Sequence, residues 1–154
     1  MAELDFDAVD RHILAALQQN ARVSNSDIAR DLGMTPSAII ERIRKLEQRG
    51  VILGYEARLA PKSVGRGLTA FVTVRAEEPG GAPATARALE AVPEILEVHQ
   101  VAGDDCFLVK LRARDTDDLA RILRERLTSL PQIRGTRTSI VLGTVKETNR
   151  VPLD

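Results

Sequence analysis

The chain has 154 residues with 22 basic and 22 acidic side chains, so bulk charge does not attract it to nucleic acid, and its length fits one or two small domains. Its single cysteine, Cys106, excludes an intrachain disulfide and a zinc finger. No stretch approaches the ~20 apolar residues of a membrane span, and the acidic start is unlike a signal peptide, so we expect a cytoplasmic protein with no membrane partner.

Residues 4–20, LDFDAVDRHILAALQQN, predict the first helix. Val9, Ile13, Ala16 and Leu17 lie on one side of it, and acidic residues crowd its first turn, where they favour the helix dipole.

Residues 24–50 predict two short helices joined by a tight turn. Ser24 can cap the first helix, and Gly33 can end it with a positive φ. Thr35 and Pro36 suit the start of the second helix. The apolar side of that helix is formed by Ile39, Ile43 and Leu46, and its opposite side by Ser37, Glu41, Arg44, Lys45 and Gln48, with Ile40 on the flank.

This pattern is typical of a helix-turn-helix, whose second helix reads a DNA groove. The alternative is a helix pair whose charged face is merely solvated. A preceding helix favours the first interpretation, because three helices can close a core that two cannot. Four basic side chains accompany two acidic ones within residues 36–50, so one head should bind DNA weakly and gain from presentation in several copies.

The second half predicts a βαββαβ order. A connector strand and turn, residues 51–62, come first. Alternating or apolar runs then predict strands over 68–76, 95–102, 106–113 and 137–145, and helices over 84–92 and 115–130. The predicted fold class is α+β: a three-helix (winged) helix-turn-helix head, residues 1–52, is joined by a connector, 53–67, to a ferredoxin-like domain, 68–154.

The sheet face opposite the helices is predicted to carry Phe71, Val109 or its neighbours, and Val141. These side chains are too apolar to stay in water, so we expect a second copy to cover them in a twofold dimer. The two heads would then meet successive major grooves about 34 Å apart.

Taken together, the chain resembles the Lrp/AsnC family of transcription regulators, the feast/famine proteins. The resemblance is carried by LDFDAVDRHIL, ERIRKLEQRGVILGY, VHQVAGDDCFLVKL and TRTSIVLGTVKETN, which occur in the family's order. It implies binding to double-stranded DNA, assembly of dimers into tetramers, octamers or discs, association with the nucleoid, and response to a small molecule, commonly an amino acid. A chiefly architectural, DNA-wrapping protein without an effector is the alternative.

We predict that Ser37, Ile40 and Glu41 face base edges, while Arg42, Arg44 and Lys45 contact phosphates. The complete set of candidate DNA-binding residues is Ser24, Thr35, Pro36, Ser37, Ile40, Glu41, Arg42, Arg44 and Lys45.

The family's effector loop corresponds to residues 101–107. Many relatives have Gly, an acidic residue, an aromatic, Asp and an aromatic there, whereas this chain has Asp105 in place of the first aromatic and Cys106 in place of the Asp. A carboxylate for an α-ammonium group is therefore present but shifted. The alternative is that the loop only makes a hairpin turn. The candidate effector residues are Gly103, Asp104, Asp105, Cys106, Thr136 and Thr138.

No enzyme activity, metal or cofactor is predicted. Cys106 with His99 is the nearest catalytic constellation, but nothing in the sequence supplies an oxyanion site or an orienting partner. His12 and His99 have no second ligand at metal spacing.

Overall fold

The computed structural model describes residues 6–77, 83–103 and 106–153. The chain forms two compact units, one of Met1–Arg58 with Glu147–Asp154 and the other of Leu59–Lys146. The predicted boundaries differ from these units in two ways. The first part of the connector belongs with the head, and so do the last residues, which the sequence had assigned to the second domain.

The head contains three helices, α1 (Ala8–Gln19), α2 (Asn25–Leu32) and α3 (Pro36–Gln48). Each begins at a side-chain cap, because an oxygen of Asp7, Ser24 or Thr35 accepts the otherwise unpaired N–H three residues on. The backbone of Gly33, at φ 63°, ends α2 in the left-handed region.

The core of the head is formed by the faces that the sequence predicted. Ile13, Ile39 and Leu46 are fully or almost fully buried, and Ile28 and Ala29 of α2 join them. Val9, Ala16, Leu17 and Ile43 pack around this cluster while remaining partly accessible.

The second unit is a four-stranded antiparallel sheet with helices. Its strands lie in the order β2-β3-β1-β4, so the predicted βαββαβ, ferredoxin-like arrangement is confirmed. The elements are β1 (Leu68–Ala76), α4 (Pro83–Glu90), β2 (Ile95–Gln100), β3 (Phe107–Ala113), α5 (Thr116–Ile122) and β4 (Ile133–Ile140). A π-helical turn, Leu123–Leu127, extends α5.

Several predicted boundaries are corrected by the pairing of the strands. Residues 53–60 are not in a strand within this chain, and a 3-10 turn, Pro61–Val64, follows them. β4 begins at Ile133 instead of residue 137, because the chain already pairs with β1 directly after Pro131, where Glu77 N donates to Gln132 O. It ends at Ile140 instead of residue 145, since the last bond to β1 is from Val141 N to Thr69 O.

The two faces of the sheet also differ from the prediction. Val109 is fully buried on the face shared with Val72, its partner in register, so it does not lie on the open face. Phe71, 37% exposed, and Leu108 supply apolar surface on the open face. Charged side chains share that face with them, namely Arg75, Glu97, Lys110, Arg112 and Arg137. The open face is therefore more polar than the sequence suggested.

In the described part of the chain, no helix has the length and apolar character needed to cross a bilayer.

Candidate DNA-binding helix and effector loop

α3 presents the side chains expected of a reading helix. The turn before it is held by the bond from Met34 N to Ala29 O, 2.8 Å, and Thr35 Oγ1 accepts from Ala38 N, 3.3 Å. Burial of Ile39 and Leu46 fixes the rotation of the helix. The predicted DNA-facing positions that this rotation leaves exposed are Pro36, Ser37, Ile40, Glu41, Arg44 and Lys45. Ser24 and Thr35, one residue before α2 and α3 respectively, are also exposed.

The carboxylate of Glu41 lies between two cations. Arg44 Nη1 is 3.3 Å from one oxygen, and Lys45 Nζ is 3.8 Å from the other. All three side chains are at least half exposed, so these pairs are weak in water and can be exchanged for contacts with DNA. This arrangement places one hydrogen-bond acceptor and two cations on the same face of α3.

Arg42 has a different setting from the one that the sequence suggested. Its Nη1 donates to Asp7 Oδ2 at 2.8 Å and to Asp10 Oδ1 at 2.9 Å, and only 32% of its side chain is exposed. The pKa of Asp7 is lowered by the N–H of Asp10 and by this guanidinium. Arg42 thus bridges α3 to the start of α1. This bridge could not be predicted from the sequence, because the partners are more than thirty residues away along the chain.

Tyr55 attaches the connector to α3. Its hydroxyl donates to Glu47 Oε1 at 3.0 Å. Burial, together with the Glu47 carboxylate, raises the pKa of Tyr55 to about 12. The phenol also lines a cavity of about 400 Å³ with Leu17, Val23, Ile40 and Ile43. Ile40, predicted to touch DNA bases, therefore lies at the rim of a groove within the head.

The predicted effector loop joins β2 to β3. Gly103 adopts a φ of 119°, which suits glycine, while Asp104 and Asp105 lie outside the described residues. The Cys106 thiol donates to Ala76 O at 3.2 Å and accepts from Ala76 N at 3.4 Å. Cys106 N donates to Val74 O at 2.9 Å, so the end of the loop is fixed to β1.

The two predicted threonines of β4 lie on the other side of β1 from the loop. Thr136 pairs with Val74 and Thr138 with Val72, and both threonines are half-buried on the helix-covered side. Val74 thus has Thr136 on one side and bonds Cys106 on the other. The structure brings these two candidate residues to the same end of the sheet, and Thr138 lies one pleat further in.

The Cys106 and His99 side chains have different partners. His99 Nε2 lies 3.2 Å from Glu97 Oε2, whereas the thiol bonds the backbone of Ala76. Within residues 6–77, 83–103 and 106–153, no three potential metal ligands cluster in a way that could hold an ion.

Two family models match this architecture. An AsnC-type helix-turn-helix domain matches residues 6–47, and an Lrp/AsnC ligand binding domain matches residues 69–151. These matches define a DNA-binding transcription regulator with a separate ligand-binding domain. The chain belongs to the Lrp/AsnC family, as the resemblance in its sequence indicated.

Known proteins resemble nearly the whole chain. The leucine-responsive regulatory protein of Escherichia coli K12 is 37% identical over 151 residues, which cover 96% of this chain and 91% of the relative. The structure of Escherichia coli AsnC superimposes with a TM-score of 0.89 at 28% identity, covering 96% of this chain and 99% of that one.

Two other similar structures contain an amino acid. A transcriptional regulator from Neisseria meningitidis in complex with L-methionine has a TM-score of 0.91 at 28% identity, covering 97% of this chain and 98% of its own. The feast or famine regulatory protein of Mycobacterium tuberculosis, complexed with L-methionine, has a TM-score of 0.87 at 31% identity, covering 96% and 99%.

Proposed function

We propose that this regulator binds an amino acid at the loop of residues 101–107 and that the ligand changes its binding to specific DNA sites. The observation that carries the proposal is the presence of L-methionine in two structures that match almost the full length of this chain. The fixed end of the loop at Cys106 and the position of Thr136 across β1 support a site at this end of the sheet.

The chemistry of the loop suits a zwitterion. Asp104 or Asp105 would pair with the ammonium group, and backbone N–H groups near Gly103 would receive the carboxylate, since a residue without a Cβ allows close approach. Thr136 and Thr138 would contribute hydroxyl groups. The Cys106 thiol already bonds Ala76, so its part would be to fix the loop to β1.

Calorimetry of the full chain against the common protein amino acids tests this proposal. At least one should bind below millimolar concentration, and either Asp104→Ala or Asp105→Ala should abolish binding while DNA affinity stays unchanged. Asp117→Ala is the matched control, because it removes an exposed carboxylate at the start of α5. If no amino acid binds, the architectural role with an empty loop becomes the better account.

We further propose that Ser37, Ile40 and Glu41 contact bases and that Arg44 and Lys45 contact phosphates. The exposure of these five residues on α3 supports the assignment. Ser24, Thr35 and Pro36 lie at the starts of α2 and α3, where N–H groups of the first helical turn can approach a phosphate, and Pro36 itself has no N–H to donate. For Arg42, the bridge to Asp7 and Asp10 favours a role in holding α3 in place.

The remaining proposals concern the assembly of the protein, its location and its lack of catalysis. We propose that the protein forms dimers and larger homo-oligomers, acts in the cytoplasm on the nucleoid, and works without catalysis or a cofactor other than its effector. The small excess of positive charge on α3 supports multiple copies, because each head alone neutralises few phosphates.

A further inference from the structure

The last residues of the chain pack against α1 in the head. The side-chain amide of Gln18 makes two bonds with one residue, since Nε2 donates to Val151 O at 3.0 Å and Val151 N donates to Oε1 at 2.6 Å. Leu153 adds an apolar side chain to the partly buried shell of the head core. These contacts join residues that are 133 positions apart.

A cation from the same segment lies at the carboxyl end of α1. Arg150 Nη2 donates to Gln19 O at 3.5 Å. The last carbonyls of a helix lack partners and carry the negative end of its dipole, and α1 has no basic residue in its own last turn. Arg150 therefore places a positive charge at the carboxyl end of α1, where the helix has no basic residue of its own.

The start of the segment is fixed as well. Arg58 Nη2 donates to Glu147 O at 2.9 Å, at the point where the chain returns to the head. The two segments that connect the units are thus hydrogen-bonded to each other within the head.

We infer that residues 147–153 are a structural part of the DNA-binding head, in which they cap α1 as a C-terminal strap. The helix-turn-helix match ends at residue 47, and the ligand-binding match extends to residue 151, so neither assigns the strap to the head. The head is a discontinuous domain, and the ligand-binding unit is connected to it at both of its ends.

Hydrogen exchange of full-length variants, followed by mass spectrometry, tests the strap. Gln18→Ala and Leu153→Ser should each accelerate exchange about fivefold or more in the last turn of α1 and in residues 147–153. Val151→Ala is the matched control, because its side chain is 66% exposed and its backbone bonds to Gln18 remain. It should exchange like the unmodified protein.

The double variant Gln18→Ala with Leu153→Ser separates a shared strap from two local effects. In a shared strap each single change accelerates exchange both in α1 and in residues 147–153, and the double variant accelerates both regions further, whereas two local effects would each stay in the region of its own substitution. If Leu153→Ser does not fold, Arg150→Gln at the exposed guanidinium replaces it in the same cycle. Unchanged exchange in α1 for Leu153→Ser, or acceleration confined to the region of each substitution, would overturn the inference.

Discussion

At the scale of single residues, Arg44 and Glu41 of α3 are both exposed. We expect Arg44 to determine DNA affinity and Glu41 to determine the preference for particular bases. Arg44→Ala removes a cation from the reading surface, so binding should weaken similarly on all duplexes and the salt slope should fall by about one. Glu41→Ala should instead relax base preference, because a carboxylate accepts from cytosine N4. Fluorescence anisotropy on an operator and a scrambled duplex, over a salt series, measures both effects.

Arg42→Ala is the matched control, since it removes the same charge from the same helix. We expect its salt slope to match that of the unmodified protein and the stability of the head to fall, because Arg42 bridges to Asp7 and Asp10. A salt slope reduced as much as that of Arg44→Ala would instead assign Arg42 to a phosphate. Loss of specificity in Arg44→Ala with none in Glu41→Ala would reverse the roles on α3.

The chain contains one tyrosine and no tryptophan, so Tyr55 can be titrated alone by its absorbance. Its pKa is raised from 10.0 to about 12 by burial and by Glu47, which favours the protonated phenol in the folded state. The stability it contributes is therefore complete below pH 10 and is lost as the pH rises through about 12. Glu47→Gln should lower the pKa part of the way, because burial remains. An equal titration in the native and urea-unfolded chain would contradict the contact with Glu47.

At the scale of elements, Asp118 joins α5 to the end of β3 and to the segment before β1. Its carboxylate, 1% exposed, accepts from Arg114 N at 3.0 Å, from Arg121 Nη2 at 2.8 Å and from Arg66 Nη1 at 3.2 Å. The backbone N–H of Arg114, with the guanidinium groups of Arg121 and Arg114, holds the pKa of Asp118 far below 3.8, and the Arg114 Nη2 lies 3.3 Å from Asp118 Oδ1. The stabilisation is present at neutral pH and is lost only as the pH falls below about 3.8 and through the lowered pKa.

Asp118→Asn should lower the Tm of the full chain by roughly 5 °C or more, because three guanidinium groups lose their shared anion. Asp117→Asn is the control, since Asp117 lies exposed in the same turn and should shift the Tm little. Thermal unfolding followed by circular dichroism provides the comparison. Equal Tm values for the two variants would show that the cluster does not stabilise the unit.

The elements differ in how far their sequence could predict them. The caps Ser24 and Thr35 and the spacing of Ile39 and Leu46 are local signals, so the helices of the head were predicted with the correct faces. Strand ends depend on pairing, which explains why β4 extends to Ile140 and not to residue 145. The burial of Val109 follows from its register with Val72, which one strand alone does not reveal.

For the candidate sites, exposure on α3 was predictable because it follows from helix geometry, as shown by Glu41 and Arg44. The contacts of Arg42 with Asp7 and of Gln18 with Val151 were missed, because they join distant parts of the chain. The loop at Gly103 was found only through the resemblance to a family.

At the scale of the whole molecule, two segments outside the helices and strands expose apolar side chains that a second copy could cover, in addition to the open sheet face. A second sheet stacked on that face would have to accommodate charged side chains such as Arg75 and Arg137 as well as Phe71. Residues 53–60 and 141–146 lie outside the helices and strands of this chain, and Leu53 and Leu142 are at least 93% exposed. Backbone and apolar side chains of this kind are suited to pairing with a second copy.

Light scattering at micromolar concentration should therefore give a mass of at least twice 16.8 kDa. Leu53→Ser and Leu142→Ser should shift the assembly toward single chains without lowering helix content, because neither side chain is buried within the chain. Val64→Ser, a comparable change at an exposed valine of the 3-10 turn, should leave the mass unchanged. DNA affinity should fall together with the mass, since one weakly basic head contacts few phosphates. A single chain at every concentration that binds one half-site with full affinity would exclude assembly as the source of DNA binding.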